Sequence, residues 1–165
     1  MSDSTGDQKD EYFWLGNATV EIDPSFPSVF TSTDEIPFVN LGKGIRFKPV
    51  FGRNLLVNFI YFEPHTEAPL HQHPEEQIGT ILEGEYEFEM NGEKRMIRPG
   101  DVYVVPPNVP HGARTFDKPC VGLDIFSPPR SGFREMLERV KAAQTDERHP
   151  RRPGGRVLLA RQCGG

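Results

Sequence analysis

The chain has 165 residues, 36% of them hydrophobic and 26% charged, which is enough for one hydrophobic core and too few for two large domains. Nineteen basic against twenty-four acidic side chains give a net charge of −5, without the concentrated positive charge that a phosphate backbone requires, so nucleic acid is not an expected partner. No apolar run approaches the length of a membrane span, and the acidic segment Met1 to Glu11 is unlike a signal peptide, so a cytoplasmic protein with no membrane contact is expected.

Residues 1–11 set Asp3, Asp7, Asp10 and Glu11 against Lys9 among small polar residues, and read as a disordered acidic leader. From residue 12 to 144 the hydrophobic period is two. Leu55 to Phe62 is almost continuously apolar, short and rich in branched and aromatic residues, as a buried strand is. In His71-Gln72-His73, read as one strand, both imidazoles share a face roughly 6–7 Å apart. Gln77 follows across the Pro74-Glu75-Glu76 bend, whose two glutamates read as solvated turn residues.

Glu85 to Met90 alternates fully, and Glu83, Glu85, Glu87 and Glu89 read as an outer acidic face. Asn91-Gly92 then signals a type I′ hairpin, because both residues tolerate positive φ. Met96-Ile97, Val102 to Val105, His111 to Phe116 and Val121 to Phe126 continue the strands, separated by Pro99-Gly100 and the corner Pro106 to Pro110. Sixteen glycines and sixteen prolines suit so many turns, and the whole describes an antiparallel sandwich or barrel. In the last strand Val121, Leu123 and Ile125 share one face and Gly122, Asp124 and Phe126 the other; periodicity alone therefore turns Asp124 to solvent.

One helix is expected over 131–144, capped by Ser131, with Phe133, Met136, Leu137 and Val140 in an apolar stripe against the outside of the barrel. Residues 145–165, with five arginines, read as a flexible basic tail. Cys120 and Cys163 form no disulfide framework or thiolate cluster and read as bystander thiols.

His71-x-His73-x-x-x-Gln77, with Gly84 beyond, resembles the first cupin motif, with Gln in the place usually held by Glu. Pro99-Gly100-Asp101 through Pro106 to His111 resembles the second. The resemblance spans about residues 40 to 128 and implies an all-β fold, a single cupin jelly-roll β-barrel with a short C-terminal helix. It also implies one divalent metal ion, Zn, Ni, Co, Mn or Fe, held by His71, His73, Gln77 and His111. His65 matches no ligand position and reads as a loop histidine. With a neutral amide for a carboxylate, the inner shell keeps more of the ion's charge, which disfavours oxidation of Fe(II), strengthens a Lewis acid and attracts an anionic oxygen substrate.

Asp124-Ile125-Phe126-Ser127-Pro128-Pro129-Arg130, taken with His71 to Gln77 and Pro107 to Arg114, resembles the KdgF-type pectin-degradation cupins, which act on 4,5-unsaturated monouronates. That likeness implies a pocket containing Asp124 as proton-transfer group, Arg130 as carboxylate clamp and Phe126 as a wall for the sugar. Read without it, Arg130 is a surface charge and Phe126 as much core as pocket. The implied activity is metal-dependent ring opening and ketonisation of an anionic sugar acid. The alternatives are a non-haem metal dioxygenase and a non-redox binding or cyclase-type cupin. The long N-terminal extension and the basic tail depart from the family pattern. A homodimer is expected, covering the apolar stretch Ile36 to Val50 at the barrel's edge.

Overall fold

The computed structural model describes Ser25 and residues 29–148. The leader 1–11, His149, Cys163 and the tail beyond Arg148 lie outside the described residues. From Thr31 onward the chain forms β1 (Val39–Gly42), β2 (Ile45–Phe51), β3 (Leu56–Phe62), β4 (Glu67–His71), β5 (Glu76–Glu83), β6 (Tyr86–Met90), β7 (Glu93–Ile97), β8 (Val102–Val105), β9 (His111–Arg114), β10 (Cys120–Ser127) and α1 (Ser131–Arg148). Two antiparallel sheets, ordered β1-β2-β3-β10-β5-β8 and β4-β9-β6-β7, face each other in a jelly roll. The hairpin at Asn91-Gly92 forms as its residues dictate, with φ of 51° and 81° and Met90 opposite Glu93.

Between the sheets, one part of the interior is apolar: Ile45, Phe62, Ile81, Phe88, Ile97 and Val105 are all buried. A second cluster joins Val39 and Phe47 to Leu137 of α1, with Phe133 stacked on Phe47 at 4.4 Å between ring centroids. Phe47 lies opposite Ile60, an inward residue of β3, so the helical stripe packs on the inward-facing side of β1 and β2 and not, as expected, on the outside of the barrel. Within the stretch Ile36 to Val50, Leu41 stays 43% exposed. Ser131 is the first residue of α1, which continues to Arg148, and Phe133 N–H bonds the carbonyl of Arg130 at 3.2 Å. The outer glutamates are laddered with bases, Lys94 lying 3.1 Å from Glu89 and Arg114 2.9 Å from Glu87.

The strand β10 reverses the facing that periodicity implies. Cys120, Gly122, Asp124 and Phe126 are buried and point between the sheets, while Val121, Leu123 and Ile125 are only half-buried on the outer surface. Leu123 lies opposite Phe59 of β3, and Ile125 opposite Ile78 of β5. Both faces of this central strand thus meet apolar neighbours, so the rule of apolar inside, polar outside does not choose between them.

A row across the large sheet runs Asn58 (β3), Asp124 (β10), Gly79 (β5), Tyr103 (β8). Gly79 is required there: an added Cβ would fall inside the Tyr103 ring, and its absence lets that ring reach across β5 to Asp124. Gly79→Ala should therefore destabilise the fold by about 1–3 kcal/mol through overpacking. The check is urea denaturation, in which an unchanged midpoint would contradict this packing.

Candidate metal centre

Three imidazoles meet where the two sheets and one loop converge. His71 ends β4 and lies directly opposite His111, the first residue of β9. His73 lies past the end of β4, in the loop before β5, so the two histidines of the pair do not share one strand; the loop carries His73 round to the others. The ring centroids are 4.4 Å apart for His71 and His111, 4.9 Å for His73 and His111, and 6.0 Å for His71 and His73. One ligand atom from each falls within 4.8 Å of those of the other two.

Each ring is fixed by the backbone. His71 Nδ1 lies 2.8 Å from the Pro69 carbonyl, His73 Nδ1 3.0 Å from that of Glu75, and His111 Nδ1 2.8 Å from that of Val109. A carbonyl oxygen only accepts, so His71 and His111 carry the proton on Nδ1 and keep the lone pair on Nε2, the tautomer that binds a metal. His73 has an acceptor beside each ring nitrogen, the second being Gln77 Oε1. Burial holds the pKa of His111 down to about 4 and lowers that of His73, with the Arg130 charge adding to the effect. Both rings are therefore neutral near pH 7. His111 Nε2 is buried without a hydrogen-bond partner, as a nitrogen waiting on a cation would be.

Gln77, near the start of β5, turns Oε1 to within 3.1 Å of His73 Nε2 and donates from Nε2 to Asp124 Oδ1 at 2.8 Å. Tyr103 donates to the same Oδ1 at 2.6 Å, and its oxygen lies 2.7 Å from that of Tyr86. The Asp124 carboxylate fixes the amide orientation: an acceptor on the Nε2 side forces Oε1 toward the histidines. Burial raises the Asp124 pKa, while the hydrogen bonds from Tyr103 and Gln77 and the Arg130 charge oppose the rise. Both tyrosines are pushed well above their ordinary value by burial and by Asp124, and stay protonated.

These groups open on a cavity of about 100 Å³ that His71, Gln77, His111, Asp124, Phe126 and Arg130 help to line. Such a volume is several times what one water needs. Phe126 is buried, 5.5 Å from His73 between ring centroids, so it is core and cavity wall at once. The Arg130 guanidinium lies 5.3 Å from the Phe126 centroid and 4.6 Å from that of Phe133, with Nε 3.7 Å from Glu75 Oε2. Arg130 is thus a held, largely buried cation and not a surface charge.

Glu75 is also no solvated turn residue. Its Oε2 lies 3.3 Å from His73 Nδ1, and its side chain is mostly buried; Glu76 is exposed. His65 stands away from the centre on an exposed loop, its Nε2 3.4 Å from Asp117. Cys120 is buried with its pKa pushed up to about 12 by burial and by Asp124, an inert thiol. Tyr86, Tyr103 and Asn58 also line the cavity and escape a reading of the sequence. The only available sign of Tyr103 is its inward place in the Val102 to Val105 alternation, and that of Asn58 its interruption of an apolar strand.

The Cupin domain family matches residues 58–126, a span that includes every residue of this centre except Arg130. The pectin degradation protein KdgF of Dickeya dadantii is 32% identical over 102 residues, 61% of this chain and 93% of that protein. The H2HPP isomerase of Bacillus subtilis is 40% identical over 87 residues, 52% of this chain but only 32% of that protein. Among solved structures, KdgF from Halomonas sp. superposes with a TM-score of 0.62 at 31% identity, covering 65% of this chain and 99% of its own. With the jelly roll, the three convergent histidines and a relative matched over nearly its whole length, the chain belongs to the cupin family.

Proposed function

We propose that the chain is a metal-dependent isomerase that promotes ring opening and ketonisation of a 4,5-unsaturated monouronate or a related sugar acid. The observation that carries this reading is the Gln77 amide, which joins the histidine cluster on one side to a buried carboxylate on the other. The names of two relatives, a pectin degradation protein and an isomerase, support it.

In this reading His71, His73, Gln77 and His111 hold one divalent ion, which when bound supplies Lewis-acid polarisation of a substrate oxygen. Three imidazoles and an amide are all neutral donors, which favours this role over oxidation of the metal by dioxygen. Arg130 pairs with the uronate carboxylate, a match for its planar fork, while Phe126 and Phe133 keep the guanidinium in place. Both hydrogen bonds to Asp124 end on Oδ1, so Oδ2 is the oxygen assigned to proton exchange. It takes the proton of the anomeric hydroxyl as the C1–O5 bond breaks; the bond's electron pair goes to O5, giving C1 an aldehyde and C5 an enolate. Returning the proton to C4 produces the keto acid. Burial raises the proton affinity of Asp124, as suits a group that accepts a proton and gives it back.

We also retain the homodimer, with a different surface. The outward side chains Ile78, Thr80 and Leu82 of β5 and Val102 and Val104 of β8 carry no charge, and Val102 is 66% exposed. Among the described residues the strand β8 is a sheet edge. A second copy related by a twofold axis meets the same uncharged patch and buries no unpaired charge.

Three outcomes test these readings. Metal analysis should find stoichiometric divalent metal in wild type and His65→Ala and little in His111→Ala; full loading of His111→Ala would remove that residue from the ligand set. Ultraviolet assay of unsaturated monouronate, corrected for spontaneous rearrangement, should show Asp124→Asn slowed by roughly 10²- to 10⁴-fold in kcat with metal retained, and Arg130→Ala raised in KM. Near-wild-type turnover by metal-loaded Asp124→Asn would contradict the proton-transfer role. Light scattering should give twice the chain mass for wild type and a monomer for Val104→Glu, and a monomeric wild type would refute the dimer.

A further inference from the structure

Asn58 sits in the middle of β3 with 0% of its surface exposed, and neither its Nδ2 nor its Oδ1 has a hydrogen-bond partner. A buried amide with both ends unsatisfied is rare in a folded protein, and a site for a ligand is one of the few reasons for it. Packing does not call for it. The other inward residues of β3 are Leu56, Ile60 and Phe62, and a leucine, which shares asparagine's branch at Cγ, would continue the series without stranding polar atoms.

Its neighbours leave the amide free. Across β2 it faces Pro49, which has no backbone N–H to offer. Across β10 it faces Asp124, whose Oδ1 is already engaged by Gln77 and Tyr103. Its remaining side is the cavity, which it lines together with His71, His111, Gln77, Asp124 and Arg130.

From this geometry we infer that Asn58 is a hydroxyl-binding subsite, its amide reading two adjacent hydroxyls of a carbohydrate acid held in the same cavity. An amide presents one acceptor and two donors, and a vicinal diol presents donors and acceptors at matching separation. The position beside Asp124 sets those hydroxyls next to the proton-transfer group. Asn58 therefore selects polyhydroxylated acids over bare ones, a discrimination that arises because a ligand lacking the hydroxyls leaves the amide unsatisfied. The inference rests on the sugar-acid reading of the pocket but not on its turnover.

The test is calorimetric binding of two unreactive probes to metal-loaded protein: galacturonate, and tetrahydropyran-2-carboxylate, which keeps the ring oxygen and carboxylate and lacks every hydroxyl. Wild type should bind galacturonate at least about tenfold more tightly, one hydrogen bond's worth. Asn58→Leu should lose about that factor for galacturonate and leave the other probe unchanged, so the preference collapses. Its ligand-free melting temperature should match or exceed that of wild type, since an unsatisfied amide has been removed. Asn58→Ala serves as a second variant and should show the same selective loss. Equal weakening of both probes, no preference in wild type, or a lowered melting temperature without selective loss would overturn the assignment. Failure of the isomerase reading would appear separately, as absent turnover of unsaturated monouronate by a wild type that still distinguishes the two probes.

Discussion

A carboxylate buried in the centre of a six-stranded sheet needs hydrogen-bond donors, and supplying them to Asp124 organises the rest of this site. Both donors come from the β5 side of β10. Tyr103 reaches over a glycine on the intervening strand, and Gln77 comes from that same strand two residues earlier. Because Gln77 spends its Nε2 on the carboxylate, its Oε1 has one direction left, toward His73. The carboxylate thus determines which atom of a neutral amide faces the histidines, and Gly79 determines whether Tyr103 can reach the carboxylate at all.

The histidines are set independently, each by a carbonyl two residues away along its own segment. Local backbone restraint of this kind does not depend on the sheet register. The register enters only through the pairing of His71 with His111 and the placing of Gln77 opposite Phe126. Rings and amide are therefore held by different parts of the fold, and one ligand atom of each ring already lies within 4.8 Å of the other two.

Much of this was legible in the residues. Alternation in Glu85 to Met90 with Asn91-Gly92 after it allows little but a hairpin, and the resemblance to the two cupin motifs is what joins His71, His73 and Gln77 to the distant His111. What misled was the assumption that a strand turns its apolar face inward. In β10 the outer residues Leu123 and Ile125 pack against Phe59 and Ile78 across the strands, and the inner face is polar because it lines a cavity rather than a core. Glu75 and Asn58 were hidden for the same reason. A glutamate in a proline turn and an asparagine in an apolar strand gain meaning only when the fold brings Arg130 beside the one and the cavity beside the other.

Asp124, which is not itself among the proposed ligands, orients Gln77 toward the histidines, and a divalent ion held by that set would depend on it. Competition titration of metal affinity in Asp124→Leu tests this directly, because leucine keeps the branch at Cγ and removes the acceptor. The expected affinity is about 10–100-fold weaker than wild type, the usual effect of removing a group that orients a ligand. Wild-type affinity in a folded Asp124→Leu protein would contradict it.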